Sequence, residues 1–240
     1  MTRNQVARVA AALTFILILA FAAPRQMAGQ DNKTPYPSMA PLEQYLIPDR
    51  DAEITLARSA APETISRDAT VLVLGRHGYE TAVDGKNGFV CLVEREWTAP
   101  FDDPGFWNPK NRSPICLNPP AVRSILPITL KRTEVVLAGK SKAQMEEWTK
   151  AAFANKELPT TLEPGAMSYM MSKDAYLTDQ GSHNLAHLMF YVPLMDKANW
   201  GADLPHSPVI LLQTGPPEPF TLFIVPVGEW SDGSSAPVPR

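Results

Sequence analysis

The chain has 240 residues, with 22 lysines and arginines against 25 acidic residues and a formal net charge of −3. A mildly acidic chain without a Lys/Arg cluster lacks the electrostatic footprint of a nucleic-acid binder, and it lacks the polybasic stripe that holds a protein on an anionic membrane. Its 24 prolines are scattered without a period, and no internal repeat is visible, so the composition points to a folded chain with long ordered loops.

Arg3 and Arg8 precede an uncharged stretch of 15 residues, 9–23. That length suits the apolar core of a secretory signal and falls short of the ~20 apolar residues of a spanning helix. Pro24 and Arg25 end it, and Ala28 and Gly29 offer a cleavage point before Gln30. Residues 1–29 are therefore expected to be a cleavable signal peptide, the alternative being an uncleaved anchor. No cysteine stands near the cleavage point to take a lipid, and no paired arginine precedes the apolar stretch, which favours the general export route. Cleavage removes Arg3, Arg8 and Arg25 and no acidic residue, which moves the net charge from −3 to −6. The expected location is exported, periplasmic or extracellular, with no membrane association after cleavage. Folding outside the cytoplasm disfavours a cofactor loaded there, and no cofactor is expected.

Residues 30–48 read as an extended leader, since Pro35 and Pro37 block regular structure, with a short helical candidate at 41–46. Asp49 can cap a helix to about Ala60 that buries Ile54 and Ala57, and Pro62 ends it. The segments 70–74, 79–83 and 89–93 are rich in β-branched and aliphatic residues, and the turn cluster 84–88 (DGKNG) separates the last two; together they predict a β-meander over about 70–93. From 97 to 120 the chain carries aromatic residues and prolines without periodicity. Two helices are expected at about 120–138 and 142–156, the first kinked or interrupted by Pro127, the second capped by Ser141. Strands return at 166–171, 188–192, 209–212 and 220–225, and 231–240 is expected to be a disordered tail. Strands, then helices, then strands predict an α+β fold: a single domain over 49–230 with a mostly antiparallel sheet.

Only Cys91 and Cys116 occur, 25 residues apart. In an oxidising compartment a lone pair forms one disulfide, which would tie the far end of the aromatic stretch to the strands; two buried thiols are the alternative.

His183 and His187 stand four apart. On a helix they would share a face and could hold one metal ion; on a strand they would sit about 13 Å apart, too far for a shared ion. No glutamate follows His183, so the zinc-protease pattern fails. His77, in the turn GRHG, suits an anion site or an exposed turn. Asp102 and Asp103 are adjacent acids of the ordinary solvated kind unless the fold pairs them. Gly139-Lys140-Ser141 resembles the end of a phosphate loop, but Glu134 occupies the required first glycine, so the segment reads as helix stop and cap. The Gly-x-Ser-x-Gly elbow of α/β-hydrolases is absent. In a eukaryotic host Asn32 and Asn111 would head glycosylation sequons, each disfavoured by the proline that follows it.

The stretches VLVLGRHGYETAV, NGFVCLVEREW with PFDDPGFWNPK, and HLMFYVPLMDKANWGADLPHSPV resemble a family of uncharacterised exported bacterial proteins, over most of the chain from about residue 52. The resemblance implies export and a single domain, and carries no activity. Two functions stay open. In one, a non-catalytic domain binds a small molecule or a protein through Trp97, Phe101, Phe106 and Trp107, aromatic residues of the kind that dominate recognition surfaces; the same four can instead turn inward as a satellite core. In the other, an exported hydrolase, metal-assisted or not, uses His183, His187 and a nearby aspartate.

Overall fold

Eight apolar segments extend into strands: β1 (Thr70–Gly75), β2 (Gly78–Val83), β3 (Val90–Glu94), β4 (Ser113–Leu117), β5 (Met167–Met170), β6 (His187–Pro193), β7 (Ile210–Thr214) and β8 (Phe220–Pro226). In the computed structural model, which describes residues 35–179 and 185–238, these form one sheet in the order β2-β1-β3-β4-β5-β6-β8-β7. Every pairing is antiparallel except β1 with β3. With α1 (Arg50–Arg58), α2 (Glu63–Ser66), α3 (Pro119–Ser124), α4 (Leu126–Leu137) and α5 (Lys142–Ala154), the fold is α+β. The expected signal peptide and His183 lie outside the described residues. Among those residues no helix is long and apolar enough to cross a membrane.

The caps explain where the helices start. Asp49 accepts from the amides of Asp51 and Ala52 at the head of α1, as its short carboxylate can at that position. Ser141 and Gln144 form a reciprocal capping box on α5. Asn118 caps α3 through Oδ1, and Pro119 and Pro120 fill the first positions, where no amide hydrogen is needed. Pro127 sits in the first turn of α4, so the helical region breaks at Ile125 into two helices.

The strand positions over 70–93 match expectation, but their connection is not a meander. β2 lies at the edge, β1 sits between β2 and β3, and β3 runs parallel to β1 through Thr70↔Val90 and Val71↔Cys91. The segment DGKNG therefore crosses the start of β1 instead of turning a hairpin. The Lys86 and Asn87 amides donate to the Asp68 carbonyl, and the Gly85 amide donates to Thr70 Oγ1. A Cβ at Gly85 would lie 2.1 Å from the Thr70 nitrogen, so only glycine permits the crossing.

β4 was not expected. Pro114 and its short length hid it inside the aperiodic stretch, yet it pairs fully with β3 and sets Cys91 directly opposite Cys116. The two are disulfide-bonded and fully buried. One sheet face packs Val71, Cys91, Val93 and Cys116 against the alanines 57, 60 and 61 at and after α1. The other packs Leu72, Val90, Leu92, Ile115 and Leu117 under α3 and α4. A third, aromatic cluster sits between Tyr45 and α5. Within the expected tail, residues 231–238 are tied back to the domain: the Ser231 amide donates to the Met171 carbonyl, the Ala236 amide to the Gly228 carbonyl, and Glu229 bridges Ser235. Aspartate and serine turn the chain there, with Asp232 accepting from the Ser234 amide.

Candidate functional site

α4 carries Thr129, Arg132 and Thr133 at three- and four-residue spacings, which line side chains along one helix face; all three are buried. Each holds part of the chain leaving β3. Thr129 donates to Glu94 Oε1 at 2.7 Å. Arg132 donates to the carbonyls of Thr98 at 3.2 Å and Ala99 at 2.7 Å, pairs with Glu218 at 3.2 Å, and lies 4.3 Å from the Phe101 ring centroid. Trp97 donates its indole N–H to Thr133 Oγ1 at 3.0 Å. Residues 94–101 are thus fixed by the helix.

This pinning turns the aromatic side chains inward. Trp97, Phe101, Phe106 and Trp107 are buried together with Tyr45, Leu74, Val136 and Met145. Phe106 packs edge-on against Trp107 at 4.8 Å, and Phe101 stacks on Phe106 at 5.4 Å. Of the two expectations, the satellite core describes them; as an outward contact surface the four are corrected, because burial and a satisfied indole N–H leave nothing to present. Tyr45 completes the cluster by donating to the Trp107 carbonyl at 2.8 Å.

The same pinning brings acids together. Glu94, Glu96 and Asp103 line one wall of a cleft of about 290 Å³. Its floor is apolar: Met170 of β5, Met189 of β6, and Leu222 and Ile224 of β8. These share a face because strand side chains alternate and the ladders set Met189 opposite Ile224. Asn111 holds Glu96 in place. Its amide nitrogen donates to Glu96 Oε2 and to the Leu177 carbonyl, while Ser113 donates to its Oδ1 at 2.7 Å and so fixes the amide's orientation. Asn111 is buried and committed, unlike a glycosylation acceptor.

No donor among the described residues reaches Glu96 Oε1. Asp103 accepts the Gly105 amide at 2.6 Å. A Cβ at Gly105 would lie 3.1 Å from Asp103 Oδ1 and 3.8 Å from Glu96 Oε1. The two oxygens are therefore within about 7 Å of each other, with a glycine keeping the gap between them open. Burial, with Asp103 and Glu94 adding to it, pushes the Glu96 carboxyl up to about 8 against the pull of Asn111. Burial also raises Glu94, opposed by its Thr129 hydrogen bond.

The nearby cations are spoken for. Arg95 borders the cleft, but its guanidinium donates to the Tyr45 and Val93 carbonyls and to Glu53 at 3.0 Å, all buried. Arg132 is committed to Glu218 and the loop carbonyls. His187 opens β6 on the cleft floor, where burial lowers its pKa; its Nδ1 meets the Leu185 carbonyl at 2.7 Å, so Nδ1 carries the hydrogen and Nε2 is left as an acceptor.

His183 lies outside the described residues, so the proposed pair is represented by His187 alone, on a strand. Among the described residues no group of three or more His, Cys, Asp or Glu is placed to hold a metal ion. Asp179, an upstream aspartate, is tied into a surface clasp that accepts from Tyr36, Tyr176 and Lys110. His77 is exposed in the turn between β1 and β2, and Asp102 is exposed beside the cleft. A larger groove of about 690 Å³ lies between α4 and α5, but it is shallow and edged by solvated charges such as Lys131, Glu134 and Lys140.

Of the cleft's acids, Asp103 was visible as a candidate, and Glu94 and Glu96 were missed. Their signal was the end of FVCLVEREW, where an apolar strand acquires two acids two residues apart around an arginine. Comparison with protein-family models, with curated proteins and with solved structures finds no match.

Proposed function

We propose that the chain is an exported, non-catalytic domain that binds a small molecule in the cleft between residues 94–103 and the β5-β6-β8 floor. The observation that carries this reading is the cleft itself: an apolar floor meeting a few convergent polar groups, the usual composition of a small-molecule site. Its volume of about 290 Å³ suits a compact ligand and not a peptide segment. The methionines on the floor can adapt to a ligand's shape. The buried disulfide and the signal-like N-terminus support export, and the acidic charge supports a partner other than nucleic acid or membrane.

Relative to the sequence reading, the site moves from the outside of the aromatic stretch to the space behind it. The hydrolase alternative rests on His183, outside the described residues, and on His187, whose Nδ1 is committed to a backbone carbonyl.

The test uses protein labelled at the methionine methyl groups and a series of small aromatic probes from benzene to tert-butylbenzene, added at neutral pH. The expected result is saturable movement of the Met170 and Met189 resonances while Met145, buried in the aromatic cluster, stays still. Probes that move neither Met170 nor Met189, or move every methionine alike, overturn the reading.

A further inference from the structure

The cleft's polar wall has one sign. Glu94, Glu96 and Asp103 face it from β3 and the chain that follows. The sheet side contributes His187, which burial keeps toward the neutral form. α4 contributes Arg132, already paired with Glu218 from the turn before β8, and Arg95 is turned toward Glu53. No uncommitted cation among these groups balances the three carboxyls.

A second, independent feature points the same way. Glu96 is 91 % buried (9 % exposed) and its Oε2 is held by Asn111, yet its Oε1 has no donor among the described residues. Gly105 leaves open the space between that oxygen and Asp103 Oδ1, where a side chain would otherwise stand. That oxygen is open to solvent from the cleft, since it is not among the fully buried unpartnered atoms of the described residues, so a ligand seated there takes the place of water on it. A group that replaces that water keeps the interaction if it donates or carries positive charge, and the cleft continues from there over Met170, Met189 and Ile224, which suit an apolar body.

Resting on the small-molecule reading above, we propose that the ligand is a compact organic cation, an amine or quaternary ammonium head held between Glu96 and Asp103 with its apolar body on the methionine floor. A metal ion fits less well, because among the described residues no group of three or more His, Cys, Asp or Glu is placed to hold one.

The cation interacts with ionised Glu96 and repels nothing on that wall. Since burial holds the Glu96 proton on to about pH 8, binding at lower pH releases that proton to solvent. Affinity for a permanently charged ligand therefore rises with pH through that range. Glu94, Asp103, His187, Arg95 and the Arg132–Glu218 pair are the other titratable or charged groups around it; burial raises Glu94 and lowers His187, which both act in the same direction, while Arg95 and Arg132 stay paired with Glu53 and Glu218.

The experiment compares phenyltrimethylammonium, whose charge does not titrate, with tert-butylbenzene, its uncharged carbon isostere. Binding is followed by the Met170 and Met189 methyl resonances at pH 6 and pH 8.5, with Met145 reporting that the fold is intact. The expected result is that the cation binds at least about tenfold more tightly than the isostere at pH 8.5 and loses about tenfold or more at pH 6. In Glu96→Gln the advantage of the cation over the isostere and its gain between pH 6 and pH 8.5 both shrink, with Met145 reporting an intact fold. Equal binding of the two probes, or cation affinity independent of pH in the unsubstituted protein, overturns the cation proposal and leaves the small-molecule reading standing. Failure of both probes to move Met170 and Met189 overturns both. Calcium or zinc that moves the same resonances more tightly than the organic cation also overturns the cation proposal, in favour of a metal site.

Discussion

Glu96 illustrates how one buried carboxyl ties the fold to pH. In the unfolded chain a glutamate loses its proton near 4.3, whereas the folded environment holds it to about 8. Between those values the native state binds the extra proton, so ionisation favours the unfolded chain. Stability is then highest below about pH 4.5, as far as this group is concerned, and declines as pH rises through about 8. Glu96→Gln keeps an acceptor for Asn111 and removes the titration. Urea unfolding at pH 5 and pH 8.5 is expected to show Glu96→Gln gaining on the unsubstituted protein by on the order of 2–4 kcal/mol at the higher pH; an equal difference at both values counts against the burial account. The neighbouring residue behaves differently. Arg95 is fully buried, and its charge is answered by Glu53 and two carbonyls, so its role is to lock the chain after β3 onto α1 and Tyr45.

At the level of elements, α4 is the organiser of the site. Three buried polar residues on one face hold Glu94, the carbonyls of Thr98 and Ala99, and Trp97. The β3–β4 ladder does the corresponding job on the sheet side, and the disulfide crosses it between directly opposed residues. With both sulfurs buried, reductant without denaturant is expected to leave the bridge intact. Cys91→Ala with Cys116→Ala is expected to cost about 3 kcal/mol, because a bridge across 25 residues removes that much chain entropy from the unfolded state. Denaturant midpoints with and without the double substitution measure it, and an unchanged midpoint refutes the estimate.

For the whole molecule, the order of strands dictates where the sheet opens first. β2 and β7 are the edges, β2 is half-exposed on both faces, and β7 carries a bulge between Leu211 and Gln213. β3, β4, β6 and β8 each lie between two partners. Native-state hydrogen exchange is therefore expected to protect the amides of β3, β4 and the centre of β8 the most and those of β2 and β7 the least. Exchange of β8 as fast as β7 contradicts this order. The cleft depends on the same topology, since its acidic wall follows β3 and its floor comes from β5, β6 and β8, brought together across more than 70 residues of chain between Glu94 and Met167.

Local chemistry by itself determined much of this. Capping at Asp49 and Ser141, the break at Pro127, the four C-terminal strands and the pairing of the two cysteines all follow from interactions within a few residues or from there being one partner available. The α+β class follows from the order of those segments. The meander failed because strand propensity does not say on which side a third strand docks; the close approach of Gly85 to Thr70 decided that. β4 stayed hidden because its pairing with β3 supplies what Pro114 and five residues of local preference do not. The aromatic residues looked like a recognition surface because hydrophobicity is the same signal in a core and at an interface, and only α4, through Thr133 and Arg132, turned them inward. The acidic wall was equally invisible: a carboxyl becomes unusual when it loses water and gains a like-charged neighbour, and both happen to Glu96 only when the folded chain closes the cleft over the sheet.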